Sequence, residues 1–222
     1  MDVKRAIETG DADMLRELLT KAPARANELI RWGDKHVCFT HPLHFVSDML
    51  FEKRLLKGNE ILLVDALLDA GADVDFQSIR EDGKTVDTPL IGAASLGAEN
   101  VGLRLLAAGA KPDLRGLFGE TALHWAALFG EDRLVAELIK KSDVNLKDAQ
   151  YNSTPLGWAI HGYCEPPAGD LGRQREAVAL LVAAGAMVER QWLEREKVRA
   201  DAEMLAALRR SKSPPLEGKL SR

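Results

Sequence analysis

The sequence predicts an all-α solenoid of about five helix–turn–helix repeats, with short loop fingers and a C-terminal capping helix. Three observations carry this. The segments "TPLIGAASLG", "TALHWAALFG" and "TPLGWAI" open at Thr88, Thr121 and Thr154, a spacing of 33 residues each time. A second apolar run follows each of them, closing on Leu105–Leu106, Leu138–Ile139 and Leu180–Leu181. Aromatic residues make up only 5% of the 222-residue chain while alanine and leucine abound, which favours close helix packing over a bulky sandwich core.

Within one repeat each residue type has a mechanical reason. The threonines cap a first helix with their hydroxyls, and Pro89 and Pro155 suit its first position. Ala93–Ala94 and Ala126–Ala127 let neighbouring helices approach. Gly97 and Gly130 stop that helix, since glycine enters the left-handed conformation cheaply. After the second helix, "GADVDF" at 71 and "GAKPDL" at 109 turn the chain out into a loop, and "GAMVER" at 185 repeats the helix-ending Gly–Ala.

Read in order, the repeats span residues 2–33, 34–77, 78–113, 114–146 and 147–189. The first is short but keeps Ala6, Gly10 and Leu18–Leu19 at the spacing of Ala126, Gly130 and Leu138–Ile139. From Pro42 to Pro89 is 47 positions rather than 33. Nine of the extra residues fall between the helices near "SDMLFEKRLLKG" and five in the loop after Gly71; the fifth repeat carries a similar nine near "YCEPPAGDLG". Residues 191–210 are expected to form a single charged helix with Trp192, Met204, Leu205 and Leu208 inward, covering the exposed core of the last repeat. Residues 1–210 would then form one domain, and polar, proline-bearing 211–222 a disordered tail.

These segments resemble the ankyrin repeat family, whose unit is a turn and two antiparallel helices with the pattern T-P-L-H-x-A. "TALHWAA" and "TPLIGAA" are good matches; "HPLHFV" and "TPLGWAI" are partial ones. The resemblance covers roughly residues 2–189 and implies a non-catalytic protein-binding module, a scaffold or regulator without cofactor, that meets a protein partner on its concave face.

Composition narrows the alternatives. A net charge of −4, with 29% charged residues, offers no basic stripe for nucleic acid. Cys38 and Cys164 lack CxxC spacing and read as reduced thiols of a cytosolic protein. The opening "MDVKRAIETGDADML" has no apolar signal segment and no stretch is long enough to span a bilayer. A cytoplasmic protein without a membrane partner is the expectation.

Two places imitate chemistry. "AASLG" has the outline of a nucleophile elbow on Ser95, but it aligns with "AALFG" at 126–130 and no strand precedes it. "HVCFTHPLH" gathers His36, Cys38, His41 and His44, residue types that zinc accepts. Its spacing follows no zinc pattern, His41 stands in the threonine column, and His44 shares the TPLH column with His124. The resemblance implies that histidines there hydrogen-bond the backbone of neighbouring turns. A metal-binding or hydrolytic protein using this cluster is the alternative; no metal site and no enzyme are expected. His161, beside Tyr151, could serve as a lone base but reads as a solvent-facing helix end.

What the resemblance implies for binding falls on loop residues before the threonine and on the end of each first helix. The third repeat offers Lys84, Thr85, Asp87, Ser95 and Leu96; the fourth Leu117, Phe118, Glu120, Leu128 and Phe129; the fifth Gln150, Tyr151, Ser153 and His161. The expected partner-binding set is Leu96, Leu117, Phe118, Glu120, Leu128, Phe129, Tyr151 and His161. Its core is an exposed apolar patch edged by Glu120 and Asp87, the mark of an interaction site. The insertions could instead fold over that patch, or the patch could meet a second copy in weak self-association.

Overall fold

A computed structural model of the chain describes residues 2–32, 38–55, 58–77, 86–166 and 173–211. Among them are thirteen α-helices and one two-stranded hairpin. The chain divides into two compact units, Met1–Leu117 and Phe118–Arg222.

The first unit holds three helix pairs. Helix α1 (Val3–Thr9) starts where the Asp2 carboxylate accepts the Arg5 N–H at 2.8 Å, and α2 (Ala12–Lys21) where Asp11 caps Met14 in the same way. The hairpin β1 (Ile30–Trp32) and β2 (Cys38–Thr40) is antiparallel, with Ile30 opposite Thr40. It departs from the purely helical expectation: its inner side adds Ile30 to the core, and the Trp32 ring meets the Phe45 ring edge-on at 5.6 Å. Next come α3 (Pro42–Phe51) and α4 (Asn59–Asp69), then α5 (Pro89–Ser95) and α6 (Glu99–Ala107). First helices pack on first helices (α1, α3, α5) and second on second (α2, α4, α6). Their shared seam buries Leu15, Leu43, Met49, Leu63, Leu67, Leu90 and Leu105.

The second unit repeats the plan with α7 (Ala122–Phe129), α8 (Asp132–Leu138), α9 (Pro155–Cys164) and α10 (Gln174–Ala183). Helix α7 lies on α9 and α8 on α10 around Leu123, Leu134, Leu138, Leu156, Val178 and Leu181. Helices α3 and α9, in the two repeats with insertions, run to ten residues against seven and eight for α5 and α7. The first helix is therefore two or three residues longer in the repeats that carry insertions. The threonine columns behave as capping chemistry requires: Thr88 accepts the Ile91 N–H and Thr154 the Gly157 N–H through their hydroxyls. Gly97 and Gly130 end α5 and the α7 helix at φ +71° and +67°.

The single capping helix is corrected by the structure. Residues 190–209 form three short helices, α11 (Arg190–Glu194), α12 (Glu196–Ala200) and α13 (Ala202–Arg209), broken at Arg195 and Asp201 where the backbone is extended. Asp201 explains the second break: its carboxylate accepts the Glu203 and Met204 N–H groups as an N-cap. The same carboxylate accepts the Tyr163 hydroxyl and the Arg175 Nε–H, each at 2.6 Å, tying α13 to α9 and α10. These hydrogen bonds hold it near a pKa of about 2. Trp192, Met204 and Leu208 are buried as the pattern predicts and Leu205 half so. Residues 212–222 lie outside the described residues.

Neighbouring loops are stapled by side-chain amides and carboxylates. Asn145 accepts the Met187 N–H at 2.8 Å and donates to the Gly185 carbonyl at 3.2 Å; Asn27 does the same for Asp73 and Gly71. Asp75 accepts the Lys111 N–H. Each fixes the start of the following loop in register.

Candidate functional site

In the second unit the repeat period places aromatic rings in two columns. Trp125 and Trp158 occupy corresponding positions on α7 and α9, and Phe118 and Tyr151 occupy corresponding positions on the two preceding loops, each pair 33 residues apart. Trp158 is the hub and is only 7% exposed. Trp125 meets it edge-on at 4.9 Å between centroids, Tyr151 at 6.0 Å, and His124 at 5.5 Å. Phe129 extends the row by stacking on Trp125 at 6.3 Å. Edge-to-face rings of this kind stabilise one another by about 0.5–1.5 kcal/mol beyond burial. The outer rings remain open: Phe118 is 39% and Tyr151 64% exposed.

Two carboxylates hold this row from behind. Glu120 Oε1 accepts the Trp125 indole N–H at 3.1 Å, and Oε2 accepts the Phe118 backbone N–H at 2.8 Å. Asp148 Oδ2 accepts the Trp158 indole N–H at 3.1 Å and the Ser153 N–H at 3.0 Å, while Oδ1 takes the N–H groups of Gln150 and Tyr151. Burial pushes the Asp148 carboxyl up, but the donors from Tyr151, Trp158, Ser153 and Gln150 outweigh it and hold it below the ordinary carboxylate range. One anion per loop thus fixes the loop's turn and the angle of the indole beside it. His124 joins the loops as the TPLH column implies. Its Nδ1 accepts the Thr121 N–H at 3.1 Å, which leaves Nε2 to donate to the Ser153 carbonyl at 3.3 Å.

The expected binding residues fall into three groups. Phe118, Tyr151 and His161 are exposed, His161 at the end of α9, 3.9 Å from Glu165. Leu128 and Phe129 are half-buried, as are Leu96 and Leu117 in the first unit, where the Leu117 N–H donates to Asp87. Glu120 is corrected: it is 0% exposed and faces inward, because the Phe118 N–H and the Trp125 indole both need an acceptor there. The expected apolar patch is therefore narrower than the sequence implies, with open rings at its loop side and half-covered side chains at the end of α7. Arg173 and Gln174, at the start of α10, lie against the end of α7. Where the described chain resumes, the Arg173 N–H donates to the Gly130 carbonyl at 2.8 Å, the Gln174 amide reaches the Leu128 carbonyl, and Arg173 pairs with Asp132. Lys84 and Thr85 lie outside the described residues.

The histidine cluster does other work. His41 caps α3, its Nδ1 accepting the Leu43 N–H while Nε2 donates to Asn27 Oδ1 at 3.0 Å, so both ring nitrogens are engaged. The expectation that His44 bonds neighbouring backbone is corrected. Its ring packs on Gly92, where an added Cβ would sit 2.5 Å from Cε1, and Nε2 stands 3.9 Å from Asp48 Oδ1. Burial lowers the pKa of His41 and of His44 to about 4, His41 also feeling Asp73 and His44. Burial, aided by Glu52, pushes Asp48 up to about 7. His36 and the side chain of Cys38 lie outside the described residues. Among the described residues no three His, Cys, Asp or Glu side chains are grouped to hold a metal ion, and no helix is long and apolar enough to cross a membrane.

Sequence reasoning missed Trp125, Trp158 and Asp148. The signal for the tryptophans was present in the shared 33-residue step; Asp148 is not matched in the preceding loop, where Arg115 stands 33 positions earlier. The family model for ankyrin repeats, in three copies, matches residues 55–148 and 90–191. No curated protein matches the chain.

Proposed function

From the chain's membership of the ankyrin repeat family, we propose that it is a non-catalytic module that binds a protein partner, with the aromatic row of the second unit as its docking face. The observation that carries this reading is the contrast within that row. Trp158 is almost fully buried and hydrogen-bonded, while Phe118 and Tyr151, in register on adjacent loops, keep 39% and 64% of their surface in water. Large open rings anchored on a rigid base are the side chains that dominate interface energetics. Leu128 and Phe129 extend the face along α7, and His161 borders it at the end of α9. Leu96 and Leu117 are proposed as binding residues of the first unit, taken by itself.

A reduced cytoplasmic setting suits the half-buried free thiol of Cys164. The test is capture from native cells by the full chain carrying a photo-crosslinker at position 118 or 151. A discrete crosslinked protein that disappears in Phe118→Ser and Tyr151→Ser, with the circular dichroism of both variants unchanged, is the expected result. Capture that both variants leave intact would remove the face from consideration. Solution mass of the purified chain separates a foreign partner from a second copy.

A further inference from the structure

The docking face reading leaves the partner's chemistry open, and the electrostatics behind the rings narrow it. Both indole N–H groups point inward, to Glu120 and Asp148, so Trp125 and Trp158 have no donor left for an incoming carbonyl. Glu120 is 0% and Asp148 3% exposed, and every donor on either carboxylate is a neutral N–H. Several cations of this unit are committed elsewhere: Arg173 to Asp132, Arg175 to Asp201 and Glu203, Arg195 to Glu165, and Lys197 over the Tyr163 ring at 4.9 Å. Among the described residues no lysine or arginine pairs with Glu120 or Asp148. Ring faces are themselves negative. Two buried anions without a cationic partner, set behind a row of such faces, give a surface whose unmet complement is positive charge.

Resting on that reading, we infer that the segment docked on Phe118, Trp125 and Tyr151 is basic: an arginine or lysine side chain lies across the open rings, with apolar neighbours on Phe118 and Phe129. The cation gains the ring faces and the field of the two carboxylates without having to displace any internal hydrogen bond. An acidic segment meets repulsion there. A proline-rich one finds aromatic surface but no free indole donor for its carbonyls.

A random-peptide library displayed on phage, selected on the full chain and counter-selected on Tyr151→Ser, tests this. Arginine- or lysine-bearing segments flanked by apolar residues should be enriched. Replacing that arginine by its neutral isostere citrulline, or the lysine by acetyl-lysine, should weaken binding about tenfold, and 0.5 M salt should weaken the charged peptide alone. Tyr151→Leu, which keeps apolar area but removes the ring, should cost the charged peptide severalfold and its neutral isostere little. Enrichment of acidic, uncharged or proline-rich segments, no enrichment, or equal binding of the charged and neutral peptides overturns the inference. If native capture still depends on Phe118 while the charge swap has no effect, the docking face stands and only its basic partner falls. If native capture ignores Phe118 and Tyr151, the face itself falls.

Discussion

One repeat position carries Phe45 and Gly92 in the first unit and Trp125 and Trp158 in the second. In the first unit it is closed by the chain itself. Phe45 is fully buried with the Trp32 ring from β1 at its edge, and Gly92 leaves a space that the His44 ring fills. In the second unit the same position holds two indoles, anchored from behind by Glu120 and Asp148, and their outer neighbours Phe118 and Tyr151 stay open. An aromatic residue at this point of the repeat is therefore core or surface according to what the adjacent loop supplies: a covering ring or an acceptor.

The most severe way to break the first unit's version is to empty it. Phe45→Ala removes a fully buried ring, and the loss should be about 3–5 kcal/mol in urea unfolding. In the second unit the corresponding weak point is the acceptor rather than the ring. Asp148→Ala strands the Trp158 indole and three backbone N–H groups together, and should cost roughly 3 kcal/mol with a change in tryptophan emission. A loss below about 1 kcal/mol would mean that water replaces the carboxylate and that the row is not held as described.

Two glycines sharpen the contrast at lower cost. A Cβ on Gly162 would fall on the backbone carbonyl of Leu128, which α7 holds in place, whereas the nearest atoms to one on Gly92 are those of the His44 ring. Gly162→Ala should therefore destabilise by about 2–3 kcal/mol and Gly92→Ala by about 1 kcal/mol. Equal losses would show that His44 is as immobile as backbone.

Acid separates the units further. His41 and His44 have folded pKa values of about 4 against 6.5 for the free side chain, so the unfolded chain binds more protons between those values. Their stabilising effect is complete above pH 6.5 and is lost as pH falls toward 4. Asp48, raised to about 7 from 3.8, acts oppositely: the folded chain keeps its proton, and this contribution is complete below 3.8 and lost as pH rises through 7. Between pH 6.5 and 4 the carboxyl therefore offsets one of the two histidines. Asp48→Asn should steepen the loss of stability across that window, by an amount on the order of 1 kcal/mol, in denaturant midpoints measured at pH 6.5 and 4.5. The depressed carboxyls of the second unit, Asp148 and Asp201, act only below 3.8, where protonation removes what they contribute. An unchanged slope in Asp48→Asn would mean that Asp48 is ionised in the fold.

The helix pairs were legible in the sequence because their signals are local. A capping threonine, a proline at the first position and a left-handed glycine each act within a few residues, and the 33-residue step multiplies them. The hairpin at Ile30–Thr40 was not, since Ile30 pairs with a strand through three-residue runs too short for an alternating pattern. Nor was the break at Asp201, whose side chain caps α13 and reaches Tyr163 and Arg175 from distant helices at once. Of the candidate site, the exposed columns at Phe118 and Tyr151 could be read from the repeat register. The burial of Glu120 could not: its fate depends on an indole five residues on whose N–H needs an acceptor.

The smallest effect on stability falls where the proposed function is concentrated. Tyr151 is 64% exposed, its backbone N–H held by Asp148 whatever side chain stands there. Tyr151→Ser loses one edge contact with Trp158, itself buried by other neighbours, so the unfolding midpoint should shift by no more than about 0.5 kcal/mol. A ring retained only for packing would cost two or three times that on removal, and its loss would loosen Trp158 and redden the tryptophan emission. A near-silent substitution in stability that abolishes capture of the crosslinked partner separates the two roles. It would place the second unit's open ring on the binding side of the same repeat position that Phe45 fills as core in the first.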